Sequence, residues 1–484
     1  MKSINFSRSP PPPRTTNPIA SAPLILSIKL KLQFTFSPFN KTSCTGQSTI
    51  ISLNPWKRRT SLFLTLCSTK ADEAAEGNRT AEFRSDYHQH SQAKPTSSQP
   101  PSSSSSSSSS PAGGLVFDFG LKESWDGVEI GSPVVKRFLG DDEERWYMWY
   151  YGRSSENPDA DSIGLATSSN GSHWERGQEA AQSSTDVGLV MTCGGDWWAF
   201  DTRSIRPSDV MIMSSEKVRS TSSVYWLYYT GFSSEETKPS DSKSLTFSLQ
   251  NPERISLDEK NWGHNKVYKS LPGLAISQDG RNWARIEGEH HSGALFDVGS
   301  EGKWDSLFIA SPHVVFHGAG DIRMYYHSFD QQTEKFAIGV ARSRDGIRWT
   351  KLGKVTGGGS SGGFDELGAT NACVVRSKRD GNYLMAYEGV AADGGRSIGM
   401  AMSHDGLKDW RRISDRAILR ASSGDGWDSK GVGSPYLVLM SGNDDEEWRL
   451  YYRGIGEGGK TGIGMAISIG EEIGRFRRWA GSHF

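Results

Sequence analysis

The sequence predicts an all-β fold, a five-bladed β-propeller with four antiparallel strands per blade, and three repeated phrases carry that prediction. The first is an alternation of apolar and small residues, then Ser-x-Asp-Gly or its Asn-Gly variant, then Trp. It occurs as SIGLATSSNGSHW (162–174), LPGLAISQDGRNW (271–283), FAIGVARSRDGIRW (336–349) and SIGMAMSHDGLKDW (397–410). A weaker fifth copy, GIGMAISIG, begins at Gly462 and ends in RFRRW (475–479). Asp-Gly and Asn-Gly supply the positive φ of a short hairpin, so each copy reads as strand, turn, strand. The second phrase is an aromatic strand upstream: WYMWYYGR (146–153), VYWLYYTG (224–231), IRMYYHS (322–328), NYLMAYEG (382–389) and WRLYYRG (448–454). The third precedes it: Trp or Phe, then Asp, then an x-Pro step or its equivalent and a β-branched run, starting at Trp125, Phe200, Trp304, Phe364 and Trp427. Five copies of four strands, at a spacing of roughly 60 residues, read as propeller blades. One such sheet cannot bury both faces, so neighbours must stack and the ring must close.

Residues 1–70 hold ten Lys or Arg and no Asp or Glu. With their many Ser, Thr and Pro they predict a transit peptide, resembling plant chloroplast ones, with a stromal destination and a cleavage region near Cys67. The apolar stretch LILSIKLKLQF contains two lysines and is too short for a bilayer, so no membrane span is expected. Residues 71–113, with nine consecutive Ser, predict a disordered linker. The propeller is assigned to 114–484, with blades near 124–180, 196–290, 303–356, 363–416 and 426–480. Successive Asp residues of the third phrase lie 75, 104, 60 and 63 positions apart. The long interval holds an insertion, 233–270, between strands 2 and 3 of blade 2; it reads as a surface loop or as a lid over the site.

Charge and cysteine usage exclude several classes. The chain has 55 basic and 56 acidic residues; without residues 1–70 the balance is 45 against 56, a net charge of −11. That is a poor footing for sequence-independent nucleic-acid binding. Cys44 and Cys67 fall in the targeting segment, while Cys193 and Cys373 read as buried thiols rather than a disulfide or metal framework. No CxxC, HExxH, phosphate-loop or dinucleotide fingerprint occurs, and no acidic cluster on the inner strands suits Ca²⁺, so neither cofactor nor metal is expected.

Strand direction points to the functional rim. Strands of a blade alternate, so the start of strand 1 and the end of strand 2 share one rim, and the Asp-Gly turns share the other. Asp126, Asp201, Asp305, Asp365 and Asp428 occur in every copy and read as structural caps, since a catalyst needs one copy only. Residues unique to one blade carry the functional expectation. After the Tyr-Tyr or Ala-Tyr pair of strand 2 stand Gly152, Thr230, His327, Glu388 and Arg453, of which Glu388 alone is acidic. Glu129, Arg153, Arg203, Arg206, Asp209, His313, Asp330, Glu366, Asn371 and Lys430 share this rim. Arg and His beside aromatic walls suit a sugar bearing carboxylate or phosphate. The alternative for the arginines, Arg206 above all, is bridging adjacent blades to acids such as Asp201.

Five blades, the IGxAxSxDGxxW phrase and x-Pro inner strands resemble the arabinanase/levansucrase/invertase superfamily of propellers. That superfamily includes glycoside hydrolases and related phosphorylases, and the resemblance implies an Asp base or nucleophile, a second Asp and a Glu acid on inner strands. This sequence departs from the pattern: its x-Pro or equivalent steps are Ser132-Pro133, Arg206-Pro207, Ser311-Pro312, Asn371-Ala372 and Ser434-Pro435, none acidic. Two expectations remain open. A glycosyl hydrolase-like enzyme would use Glu388 as acid and Asp201 or Asp209 as base or nucleophile, with two carboxyl oxygens roughly 5–10 Å apart. Arg153, Arg203, Arg206, His313, His327, Asn371, Lys430 and Arg453 would bind its sugar. A non-catalytic propeller would instead bind a glycan, an anionic metabolite or a partner protein, each carboxylate neutralised by an Arg.

Overall fold

The computed structural model describes residues 113–139, 144–177, 183–213, 224–237, 267–440, 447–470 and 473–481. The expected transit peptide, all but the last residue of the expected linker, and residues 238–266 of the insertion lie outside them. Among the described residues the regular structure is β throughout, apart from one 3-10 turn at Glu457–Gly459. No described helix is long and apolar enough to cross a membrane.

After β1 (Leu115–Asp118) come five antiparallel meanders. The first is β2 (Glu129–Leu139), β3 (Glu144–Arg153), β4 (Asp161–Ser168) and β5 (Glu175–Arg176), with β6 (Leu189–Met191) also pairing β4. The second is β7 (Ser204–Met213), β8 (Val224–Thr237), β9 (Val267–Ser277) and β10 (Ala284–Ile286). The third is β11 (Ala310–Gly318), β12 (Asp321–Asp330), β13 (Lys335–Ser343) and β14 (Trp349–Gly357). The fourth is β15 (Gly368–Arg376), β16 (Tyr383–Val390), β17 (Arg396–Ser403) and β18 (Arg411–Arg412). The fifth is β19 (Gly431–Met440), β20 (Glu447–Ile455), β21 (Thr461–Ser468) and β22 (Phe476–Arg478). Most hydrogen-bonded sheets stay separate; a single parallel bridge, Phe336 to Gly368, joins the third to the fourth. β1 pairs with β21, so the first described strand completes the last meander. The first strands β2, β7, β11, β15 and β19 each touch the next, and β19 touches β2.

The repeated residues form repeated structure. Each Ser-x-Asp-Gly turn is knitted by its own side chains. Ser277 Oγ accepts the Gly280 N–H at 2.9 Å, and Asp279 Oδ1 accepts those of Arg281 and Asn282 at 2.8 Å. Asn170 performs the same task in the first meander. Gly171, Gly280, Gly346 and Gly406 have φ of 69–77°, the region only Gly enters without a Cβ penalty. The carbonyl of each of these glycines then accepts a bond from the second strand of the preceding meander: Trp149 to Gly280, Tyr228 to Gly346, Tyr325 to Gly406, and Tyr451 of the fifth meander to Gly171 of the first. The weaker fifth phrase lacks the Asp-Gly step.

The Asp of the Trp/Phe-Asp phrase is an anchor in all five copies. Asp126, Asp201, Asp305, Asp365 and Asp428 are buried and accept bonds from Tyr150, Tyr229, Tyr326, Tyr387 and Tyr452 at 2.9–3.1 Å. A cation from the outer strand closes each triad: Arg176, Arg285, Lys351, Arg412 and Arg478. Pairing at Oδ2 offsets part of the cost of burying each carboxylate. Asp201 is thereby committed to holding its meander together. That role competes with the base or nucleophile role the hydrolase expectation gives it.

Candidate functional site

Strand pairing shows which residues are equivalent around the first strands. Tyr150 is the partner of Asp126, so the residue matching Thr230, His327, Glu388 and Arg453 is Tyr151, and the expected Gly152 is displaced by one. These five pair with Gly131, Arg206, Ala310, Thr370 and Gly433. Immediately beyond, each first strand bulges. Ser132, Ser311, Asn371 and Ser434 adopt φ of 45–52° there, a conformation that costs a non-glycine residue roughly 1–2 kcal/mol. Three meanders offer an acceptor for the bulge of the next. Thr230 Oγ1 takes the Ser311 N–H at 2.8 Å, His327 Nδ1 that of Asn371 at 3.2 Å, and Glu388 Oε2 that of Ser434 at 2.9 Å. The second meander has Pro207 at this point, which has no N–H to satisfy, and the preceding meander presents the Tyr151 ring instead. So Pro207 aligns with Ser132 rather than with Pro133, and the expected Arg206-Pro207 alignment shifts by one.

Past the bulge the equivalent residues are Val134, Asp209, His313, Cys373 and Tyr436, opposite Trp149, Tyr228, Tyr325, Ala386 and Tyr451. An opening of about 320 Å³, counted with its solvent mouth, lies among the bulges and this level. Its wall carries Ser132, Ser208, Ser311, Ser434 and Asn371, with His313, Cys373 and Tyr436 toward the floor. Asp209 ties that floor together. It accepts from Tyr436 Oη at 2.7 Å, Lys136 Nζ at 3.1 Å and the Val314 N–H at 3.2 Å, and faces His313 Nδ1 at 3.7 Å. Burial would raise the Asp209 pKa, but Lys136, His313 and Tyr436 outweigh it and bring it to about 2. Burial would lower that of His313, but the charge of Asp209 prevails and raises it to about 9. The imidazole is therefore charged at neutral pH, with Nε2–H donating to the Val374 carbonyl at 2.9 Å.

The expected arginines are mostly engaged inside the protein. Arg153 and Arg206 converge on Asp161, Arg206 with Nε at 2.7 Å. Arg153 also binds Glu129 at 2.8 Å, and Arg453 approaches the same carboxylate at 3.8 Å. Burial would raise the pKa of Glu129, but Arg153, Arg453 and Arg206 outweigh it and hold the acid below its usual range. Arg206 thus bridges the first two meanders, to Asp161 and not to Asp201, and its guanidinium lies 4.4 Å over the Tyr151 ring. Arg203 pairs with the exposed Asp159 and lies over Tyr268; Lys430 pairs with the exposed Glu457. Neither reaches the opening. Asp330 pairs with Lys354, and Glu366 binds the Gly362 N–H.

Glu388 and His327 lie behind the wall. Glu388 is 1% exposed and accepts from Asn371 Nδ2 at 2.9 Å, the Ser434 N–H and Arg396 at 3.3 Å. Burial, then Arg396, lowers the pKa of His327 to about 3, so its ring is neutral and Nε2 carries the proton. Asn371 connects wall to interior, since its Oδ1 also accepts from Ser311 Oγ at 2.6 Å. Of the expected residues, the structure brings His313 and Asn371 to the opening, while Asp209 is buried against the lining residues His313 and Tyr436. Lys136, Tyr436 and the wall serines escaped the sequence reading. Counting eight residues on from each repeated Asp would have found Tyr436 and grouped it with Asp209 and His313; Asp161 and Arg396 occupy one equivalent position, immediately before the repeated SIG phrase. Cys373 is buried as expected, while Cys193 is half-buried, its thiol pushed up to about 12 by burial, Asp201 and Asp161. Among the described residues no three His, Cys, Asp or Glu side chains are grouped to hold a metal ion.

No family model matches the sequence. Uncharacterized proteins of two Mycobacterium tuberculosis strains, CDC 1551 and H37Rv, are each 31% identical over 207 residues, 41% of this chain. The match spans 62% of the length of these relatives. Solved structures similar to the chain include a glycoside hydrolase (TM-score 0.49, 14% identity, 76% of this chain and 96% of that one). Another is a thermostable family-43 glycoside hydrolase (TM-score 0.46, 16% identity, 72% and 92%). A third is an N-acetylgalactosamine deacetylase from F. plautii in complex with blood group B trisaccharide (TM-score 0.49, 13% identity, 74% and 94%). Likeness at this level assigns no activity to the chain.

Proposed function

We propose that the five meanders form a five-bladed β-propeller that binds a carbohydrate at the opening between its first strands, without glycoside hydrolysis by Glu388 or Asp209. Closure is supported by the seam between the fifth and first meanders, where Tyr451 meets Gly171 as Trp149 meets Gly280 elsewhere. The observation that carries the ligand reading is the lining: four serine hydroxyls, the Asn371 amide, the His313 imidazolium and the Tyr436 phenol. Short donors and acceptors beside an aromatic suit a polyhydroxylated ring, while the His313 imidazolium is already matched by Asp209 on one side and the Val374 carbonyl on the other.

The contacts of the two carboxylates argue against catalysis. A general acid must have a proton to give, whereas Glu388 takes hydrogen bonds from an amide, a backbone N–H and an arginine. A nucleophile must meet its substrate, and Asp209, 2% exposed, is enclosed by Tyr436, Lys136 and His313. The hydrolase reading keeps one observation in its favour: Glu388 and Asp209 are each the single acid at their level of the five strands. Calorimetric titration with neutral and anionic sugars, beside a turnover assay on the matching glycosides, separates the two. The expected result is saturable binding, weakened by Ser208→Ala, with no turnover. Hydrolysis abolished by Glu388→Gln or Asp209→Asn would replace this reading with the enzymatic one, and absence of binding to any sugar would remove both.

We also propose that residues 1–70 deliver the chain to the chloroplast, on their acid-free, basic composition. A fluorescent protein carrying that segment should enter plastids, and its retention in the cytosol would reject the proposal.

A further inference from the structure

The junctions between neighbouring meanders share one backbone device, and one junction lacks a part that three others have. Where the third, fourth and fifth meanders begin, the N–H of the bulged residue turns to the meander before it and finds an acceptor there. Thr230 serves Ser311, His327 serves Asn371 and Glu388 serves Ser434. Where the second begins, the bulge holds Pro207, which has no N–H. Where the first begins, the residue is Ser132, with φ of 47° against 45° at Ser434, so its N–H takes the same direction. The fifth meander meets it with Arg453, the equivalent of Glu388, and a guanidinium only donates.

Arg453 lies where Glu388 lies one junction earlier. A Cβ on Gly433 would collide with Glu388 Oε2, and a Cβ on Gly131 would collide with Arg453 Cδ, so each glycine gives passage to the side chain that crosses it. Each is followed by the bulged serine. Where Glu388 crosses, its carboxylate is held between the Ser434 N–H at 2.9 Å and Arg396 at 3.3 Å. Where Arg453 crosses, the serine N–H and the arginine are both in place. The acid beside them, Glu129, bonds Arg153 and Tyr151 Oη at 2.8 Å each and stands 3.8 Å from Arg453.

Charge points the same way. Among the described residues, the layer behind this side of the wall joins four arginines, Arg153, Arg206, Arg396 and Arg453, to three carboxylates, Glu129, Asp161 and Glu388. That is a surplus of one positive charge, held where screening by water is weak. Ser132 lines the opening, so a ligand seated there reaches the junction. One carboxylate brought by the ligand would supply both the acceptor and the balancing charge, in the arrangement the protein itself builds around Glu388. We propose that the opening takes a sugar acid, with its carboxylate at Ser132 and Arg453 as the counter-charge. The single charge of a carboxylate matches the surplus, which the second charge of a phosphate would exceed. This rests on the carbohydrate reading of the opening.

Calorimetric titration of the whole protein with glucuronic and galacturonic acids, their methyl esters, and glucose and galactose tests this. Wild type should bind an acid about tenfold more tightly than its ester or its neutral parent, and the preference should shrink as salt rises. Arg453→Gln removes the charge and offers the Ser132 N–H an amide oxygen, as Thr230 and Glu388 offer theirs. In that variant the ratio of acid to ester affinity should fall to near one. The ester comparison is made on wild type, so a variant that folds poorly does not remove the test. Equal affinity of wild type for acid, ester and parent overturns the carboxylate site and leaves the carbohydrate reading standing. A ratio as large in Arg453→Gln as in wild type also overturns it. Tighter binding of the 6-phosphates than of the acids would overturn the choice of carboxylate. Failure of wild type to bind any sugar, these or others, overturns both readings.

Discussion

At the anchors, Asp126, Asp201, Asp305, Asp365 and Asp428 repeat one chemistry, each with a tyrosine and a basic residue; at the opening, Val134, Asp209, His313, Cys373 and Tyr436 share one backbone position and no chemistry. The first set shows what every meander requires in order to stand against its neighbours. The second shows where the repeat makes no common demand, so residue choice there can differ from one meander to the next. A buried carboxylate can belong to either set, and burial alone does not tell which. Asp201 and Asp209, eight residues apart on one segment, fall on opposite sides of that line.

The anchors should be the more fragile. Asp365→Ala removes the acceptor of Tyr387 Oη and the counter-charge of Arg412, leaving a buried phenol and a partly buried guanidinium unpaired. Breaking a buried pair on one side typically costs about 3–5 kcal/mol, and urea denaturation should show a loss of that size. A loss under about 1 kcal/mol would mean that the triads are ornaments of the repeat rather than its fastening.

At the opening the expected effect is smaller and depends on pH. The folded-state pKa of His313 is raised to about 9 from an ordinary 6.5, so its contribution is complete below 6.5 and is lost as pH rises through 9. Asp209 works the other way: lowered to about 2 from 3.8, it contributes above 3.8 and loses that contribution as pH falls through 2. Between pH 6 and pH 9.5 wild type should therefore lose about 1–3 kcal/mol through His313, and His313→Gln should be flatter across the same range. Parallel pH profiles for the two proteins would break the link between His313 and the Asp209 network.

Much of this was legible in the sequence, and the failures have a physical pattern. Anything repeated five times could be read, because the turn chemistry of Ser-x-Asp-Gly and the aromatic second strand are local properties. The displacement of Gly152 by Tyr151 arose because WYMWYYGR has aromatic residues at three successive positions, and only the bond to Asp126 shows which one matches Tyr229. The shift at Pro207 arises because proline is a poor landmark for these strands, whereas distance from the repeated Asp is what the bulge preserves. The arginines misled for a different reason. Asp161, their shared partner, opposes Arg153 across one hairpin and stands one residue before the repeated phrase at Ser162, so only the bond from Arg206, which crosses from the next meander, lay in tertiary contact.

The smallest effect is the sharpest test of the freedom claimed for the opening. Ser132 has φ of 47°, a conformation that glycine would adopt without a Cβ penalty, yet the residue there is serine. Ser132→Gly relieves that penalty and adds backbone entropy to the unfolded chain, two terms of similar size and opposite sign, so the net change should stay within about 1 kcal/mol. If the hydroxyl is kept for a ligand, the same substitution should weaken sugar binding while chemical denaturation leaves the midpoint nearly unmoved. A variant that binds as wild type does would show that the bulge tolerates serine without using it. A variant that unfolds readily would show that the wall of the opening belongs with the anchors after all.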